Sequence, residues 1–312
     1  MAKIATIGGL IVGVLVCAPV GAQTKEQVPN PAPPITATLI PDKENTVVGW
    51  LDIVPITSKI LHTTRMLRVW VPGNYLSPHN AQRKYPVLYM QDGQNLFDRA
   101  TAFQDEWQMD ETADHLIGNF KIGQMFIVGI DSAGDGRQRA MDYLPYPDSL
   151  NPQSPGPGDV RGKDYAKFVV TEVMPFLQKR YRIATGAVST GIGGSSYGAV
   201  ISLYAALHYA DTFGKVLLES PPLEVGDGQL LRDAEKATHL PQKMYIGVGT
   251  NEGRDAMVSA ELVRNVGGLE KVLRDRGMGA TRLKVTVEEG APRNEAAWAK
   301  RLPEAMLFLY GR

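Results

Sequence analysis

The chain has 312 residues, 44% of them hydrophobic, and its 33 basic and 33 acidic side chains cancel to zero net charge. That length suits one large α/β domain or two small ones, and the charge balance argues against a nucleic-acid partner, which needs a clustered basic face. A single cysteine, Cys17, rules out an intrachain disulfide framework and a cysteine metal site.

Lys3, the uncharged and mostly apolar run from Ile4 to Val16, and the small-residue site Val20-Gly21-Ala22 are the three parts of a secretory signal. Residues 1–22 are read as a signal peptide, which places the protein in the secreted or periplasmic space, with no membrane attachment after cleavage. Residues 23–46 are a flexible lead-in rich in proline. Residues 47–312 are read as one domain.

Val47 to Thr57 and Thr64 to Val71 alternate as strands do, with Leu67, Val69 and Val71 on one face. They predict an antiparallel entry to a sheet. Pro86 to Met90 and Met125 to Ile130 are short apolar runs of the kind buried on both faces. Between them, Trp107 to Phe120 has a helical stripe of Met109, Ala113 and Leu116. Residues 132–161 are rich in Pro, Gly, Asp and Ser and read as a long loop, a feature that usually carries function. Lys163 to Tyr181 predicts an amphipathic helix in which Pro175 makes a kink or marks the end. Val188 to Ile192 reads as a strand, and Ala199 to Leu207 as a buried helix. Val216 to Leu218 and Met244 to Val248 predict two more buried strands. Met257 to Arg276 is a helix closed by Gly277, and Leu283 to Val287 is the last strand. Asn294 caps a final helical stretch to Tyr310, which Pro303 is expected to restart. Strands alternating with helices predict an α/β fold, a mostly parallel central sheet with helices on both faces.

Gly194-Ser195-Ser196-Tyr197-Gly198 reads G-x-S-x-G between a strand and a helix. In that context the turn is sharp, its central serine is strained and exposed at the sheet's carboxyl edge, and the helix N terminus favours developing negative charge. A chain with 32 glycines can produce such a turn for packing alone, but the flanking strand and helix favour Ser196 as a nucleophile.

With this stretch, Val87-Leu88-Tyr89-Met90-Gln91-Asp92-Gly93-Gln94-Asn95-Leu96-Phe97, Val248-Gly249-Thr250-Asn251-Glu252 and Asn294-Glu295-Ala296-Ala297-Trp298, the chain resembles the esterase D family of α/β-hydrolases. That family includes feruloyl and acetyl-xylan esterases, enterochelin esterases and S-formylglutathione hydrolases. The resemblance covers roughly residues 47–312. It implies the α/β-hydrolase fold, Ser196 as nucleophile, the Tyr197 N–H and a donor near Gln94 as the oxyanion hole, and Glu252 as the acid, with Asp255 a weaker substitute. The sequence has no zinc motif, phosphate-cradling glycine loop or dinucleotide fingerprint, so no cofactor and no metal are expected. Trp107 and Trp298 are candidates to line an acyl or sugar pocket, although aromatics more often serve the core. The loop acids Asp131, Asp135, Asp142 and Asp148 lack calcium-loop spacing.

The family pattern breaks at one position. The base should be a histidine after Glu252, just before Asn294, and that residue is Arg293. None of His62, His79, His115, His208 and His239 follows residue 252. An arginine stays protonated and cannot take the serine proton. Arg293 is expected to pair with Glu252, or else to hold an anionic ligand. The expectation is a carboxylic-ester hydrolase with weak or atypical activity on a small-molecule or polysaccharide-linked ester. The alternatives are a glycan- or siderophore-binding protein without turnover, or an acyltransferase.

Overall fold

The computed structural model describes residues 45–149, 151 and 154–312. The expected signal peptide (1–22) and most of the lead-in (23–46) lie outside the described residues. Strands β1 (Trp50–Thr57) and β2 (Thr64–Val71) pair antiparallel. Strands β3 (Val87–Gln91), β4 (Phe126–Ile130), β5 (Thr190–Ser195), β6 (Lys215–Glu219), β7 (Lys243–Asn251) and β8 (Leu283–Pro292) are mutually parallel. The sheet order is β1-β2-β4-β3-β5-β6-β7-β8, the α/β-hydrolase arrangement.

Alternation along β3 shows how the layers form. Val87 and Tyr89 enter one apolar core, Leu88 and Met90 the other. The first core is covered by α3 (Gly162–Phe168), α4 (Met174–Arg180), α5 (Tyr197–His208), α6 (Val225–Lys236) and α7 (Ala256–Asp275). The second is covered by α1 (Met109–Gly118) and α8 (Glu295–Tyr310). A strand buried on both sides has no polar face to show, which is why the central runs read as continuously apolar.

The structure departs from the sequence expectations in five places. The loop 132–161 contains α2 (Gly136–Tyr143), whose N-cap Asp135 accepts from the Gln138 amide. Its polar sequence hides it, because few of its residues meet the core. The helix over 163–181 is interrupted by a wide π turn at Val169–Val173, just before Pro175; a proline lacks the N–H and crowds the preceding turn, and the wider turn relieves both. The strand of the nucleophile stretch starts at Thr190, since Ala187–Ser189 forms a short turn with Val188 exposed. Helix α6 went unpredicted because Gly226, Asp227 and Gly228 open it in left-handed conformations. Pro303 does not restart α8, which runs unbroken through it. That proline faces solvent, where water satisfies the carbonyl it strands.

Candidate active site

Three neighbouring strands deliver the site. Ser196 follows β5, Ser220 follows β6, and Glu252 follows β7. The Ser196 amide donates to the Glu219 carbonyl at 2.9 Å and the Ser220 amide to the Gly247 carbonyl at 2.8 Å. Ser196 has φ 55° and ψ −128°, a backbone region costly for a side chain and typical of functional turns. The turn is tight enough to need its glycines: a Cβ on Gly194 would lie 2.8 Å from the Gly198 backbone. Ser196 is the N-cap of α5. The Tyr197 N–H is therefore one of the helix-terminal amides with no intrahelical partner. Gln94 lies in the turn after β3, its side chain clamped to Ser132 by bonds of 2.7 and 3.1 Å.

Arg293 sits between the end of β8 and the cap of α8, where Asn294 accepts from the Ala297 amide at 3.0 Å. Its Nη2 donates to Ser196 Oγ at 3.0 Å and to the Ser220 carbonyl at 3.0 Å. The expected ion pair with Glu252 does not form; the guanidinium turns to the serine instead. Among the described residues, Arg293 Nε and Nη1 have no protein partner. Burial pushes the Arg293 pKa down, against the pull of Glu252 and Glu224.

Glu252 is buried and held in place. Its Oε1 accepts from Ser220 Oγ at 2.7 Å and from the Gly249 amide at 2.6 Å. Trp298 Nε1 donates to the same Ser220 hydroxyl at 2.8 Å. Oε2 is buried with no hydrogen-bond partner. Burial raises the Glu252 pKa, while the Ser220 and Gly249 bonds oppose the rise. Asp255 does a different job: it is the N-cap of α7 and accepts from the Val258 amide.

Two chambers, of about 570 and 600 Å³, meet at Ser196 and Arg293. Glu252 and Tyr197 border the first; Gln94 and Trp298 border the second. Trp107 lines neither. It is core, packed on Trp298 with ring centroids 5.5 Å apart. No histidine lines either chamber among the described residues. His208, at the far end of α5, binds the Tyr204 carbonyl instead. The loop acids are also engaged: Asp131 with Arg68, Asp142 with Arg65 and Arg161, Asp148 with the Tyr197 hydroxyl. No cluster fit for a metal occurs among the described residues.

A family model, described as "Putative esterase", matches residues 58–309. The chain belongs to the Esterase family. It is 22% identical over 256 residues to the uncharacterized protein YbbA of Bacillus subtilis, covering 80% of this chain and 93% of that one. Among solved structures it is similar to a ferulic acid esterase, with a TM-score of 0.65, 18% identity, and coverage of 84% of this chain and 98% of the other. It is also similar to the BES protein of Bacillus cereus, with a TM-score of 0.64, 17% identity, and 87% and 98% of the two chains covered. Against the enterobactin esterase FES of Shigella flexneri the TM-score is 0.63 at 17% identity, over 86% of this chain and 61% of that one. At these identities the likeness is one of fold.

Three residues of this Esterase site were not legible in the sequence. Ser220 has φ 53° and carries the bond chain from Trp298 to Glu252. Its signal was its place right after a buried strand. Asp92, at φ 56°, is fixed by Arg139 through bonds of 2.7 and 2.8 Å. Arg139 comes from the unpredicted α2, so no sequence pattern linked it to the turn after β3.

Proposed function

We propose that this protein is a secreted or periplasmic serine hydrolase of carboxylic esters whose turnover is held low by Arg293. Ser196 is the nucleophile. The N–H groups near Tyr197 and Gln94 receive the oxyanion, and Glu252 is the acid left without its histidine. One observation carries this reading: at 3.0 Å from Ser196 Oγ, where a base must accept a proton, Arg293 donates one. The hydroxyl oxygen spends a lone pair on that bond. Its proton has no neutral acceptor, so attack on an ester carbonyl waits on the rare deprotonated guanidine or on hydroxide. The oxyanion donors still act once attack occurs, which leaves a residual rate. The ester classes to try first are those in the names of the solved relatives, ferulic acid esters and enterobactin.

A binding role without turnover is the second reading. The free Nε and Nη1 donors of Arg293 favour it, since they leave cationic hydrogen-bonding capacity at the junction of the chambers.

The pH dependence separates these readings. Burial lowers the Arg293 pKa, but a guanidinium starts so far above neutrality that its neutral form remains scarce near pH 7. The Ser196-dependent rate on an activated aryl ester, corrected with Ser196→Ala, is expected to rise about tenfold per pH unit from about pH 7 to 9, as a base far below its pKa requires. A plateau with an inflexion near neutrality would reveal an imidazole-like base and end this account of the rate. No Ser196-dependent rate at any pH would leave the binding role.

A further inference from the structure

A separate cavity, of about 490 Å³, lies at the amino edge of the sheet, opposite the end that carries Ser196. Arg83, Lys215, Lys243 and Arg312 line it, and no acidic side chain does. None of the four is in an ion pair among the described residues. In a chain of zero net charge the buried Arg65 and Arg301 are each matched by a carboxylate, whereas these four, half-buried or exposed, face one another with none.

Strand register creates the cluster. Lys215 opens β6, Lys243 opens β7, and the two are direct partners across the parallel pair. Like charges at paired positions repel. Burial and the Lys243 charge together lower the Lys215 pKa. Each ammonium is pinned by one backbone carbonyl, Lys215 to Val188 and Lys243 to Phe308, and keeps two further donors. The wall is apolar. The Tyr310 ring stands 5.3 Å from the Lys215 ammonium, and Leu309 and Met125 complete it. Tyr310 reaches its place because β5 has a glycine there: a Cβ on Gly191 would lie 2.3 Å from the phenol oxygen.

We propose that this cavity is a binding site for a phosphate monoester, with the phosphate between Lys215 and Lys243 and its organic group against Tyr310. A dianion removes the repulsion of two paired ammonium groups, whereas one carboxylate would neutralise only one. Lysine serves phosphate as a point charge, and the arginines at the rim add fork-shaped donors. The apolar wall favours an organic phosphate over the free ion.

Titration calorimetry of the full chain with phenyl phosphate, in phosphate-free buffer at low salt, tests this. Saturable binding is expected with a Kd of ~1 mM or tighter. Lys215→Gln should weaken it about tenfold, the loss of one charged hydrogen bond, and leave Ser196-dependent ester hydrolysis unchanged. The unliganded variant should unfold at or above the natural midpoint, because the repulsion is gone. Arg83→Gln, at an exposed position, serves as the second variant and should weaken binding by about twofold. Inorganic phosphate should bind more weakly than phenyl phosphate. Vesicles of phosphatidic acid identify the source: cosedimentation lost in Lys215→Gln assigns a lipid headgroup, and its absence alongside phenyl phosphate binding assigns a soluble ester. No saturable heat by ~20 mM together with no Lys215-dependent cosedimentation, or binding unaltered in both variants, overturns the proposal.

Discussion

Arg293→His is expected to raise kcat/KM for an activated aryl ester by on the order of 10²–10⁴, a partial recovery of what a lost triad member costs. The gain follows from what the site already holds. Ser196 is on its strained turn, and the helix-terminal amide beside it is in place. Glu252 is buried and fixed through Oε1, while Oε2 has no partner. A histidine at 293 starts from the same backbone as the arginine whose side chain touches Ser196 Oγ. Its imidazole can accept the serine proton on one nitrogen and donate to the idle Glu252 oxygen with the other, which is the pairing that holds the working tautomer. The pH–rate profile of this variant should gain an inflexion near ~6.5, the ordinary range of histidine. Arg293→Lys supplies a cation without the fork and should gain nothing comparable. If histidine gives no more than lysine does, the assignment of Glu252 as the waiting acid fails.

Arg301→Met is expected to cost about 3–5 kcal/mol at pH 8, as loss of one partner of a buried ion pair does. Arg301 is buried on α8, with bonds of 2.6 and 3.0 Å to Glu219 Oε2 and 2.9 Å to Glu288 Oε2. It also lies 3.9 Å from Glu252 Oε1. Glu219 is fully enclosed, and a Cβ on neighbouring Gly247 would stand 2.4 Å from its carboxylate, so nothing larger than glycine fits there. Even with Arg301 present, burial pushes the Glu219 pKa up to about 7. A carboxyl with a raised pKa holds its proton more tightly folded than unfolded. Its contribution to stability is therefore greatest below its unfolded value and declines as pH rises through about 7. Without the guanidinium the pKa climbs further, so the destabilisation is largest at pH 8 and shrinks toward pH 5. Urea midpoints of the natural chain and the variant across that range read both effects. A loss that does not vary with pH would mean that Glu219 is not the group left uncompensated.

The sheet was legible because its central strands are apolar on both faces and its edge pair alternates. The turn that carries Ser196 was legible because a sharp strand-to-helix turn needs glycines at fixed places, and Gly194 and Gly198 occupy them. That no histidine follows Glu252 was equally plain. The direction of Arg293 was not. A guanidinium offered both a carboxylate and a serine is placed by backbone geometry, and the Ser220 carbonyl that captures it stands at a left-handed residue no composition pattern announces. Trp107 and Trp298 looked alike in sequence, yet only Trp298 reaches a chamber, because Trp107 precedes α1 and turns under it into the core. Helix α2 was invisible for a related reason. Its polar side chains serve Asp92 and a capping bond rather than an apolar stripe.

The most direct measurement is the rate at which Ser196 reacts with a fluorophosphonate, followed by intact mass. The reagent needs only an activated serine and an oxyanion pocket, so acyl and alcohol specificity do not enter. Labelling of the natural chain is expected to be slow at pH 7 and to confine itself to Ser196, and Arg293→His should speed it by on the order of 10² or more. Natural protein that labels as fast as the histidine variant would contradict the claim that Arg293 restrains the serine.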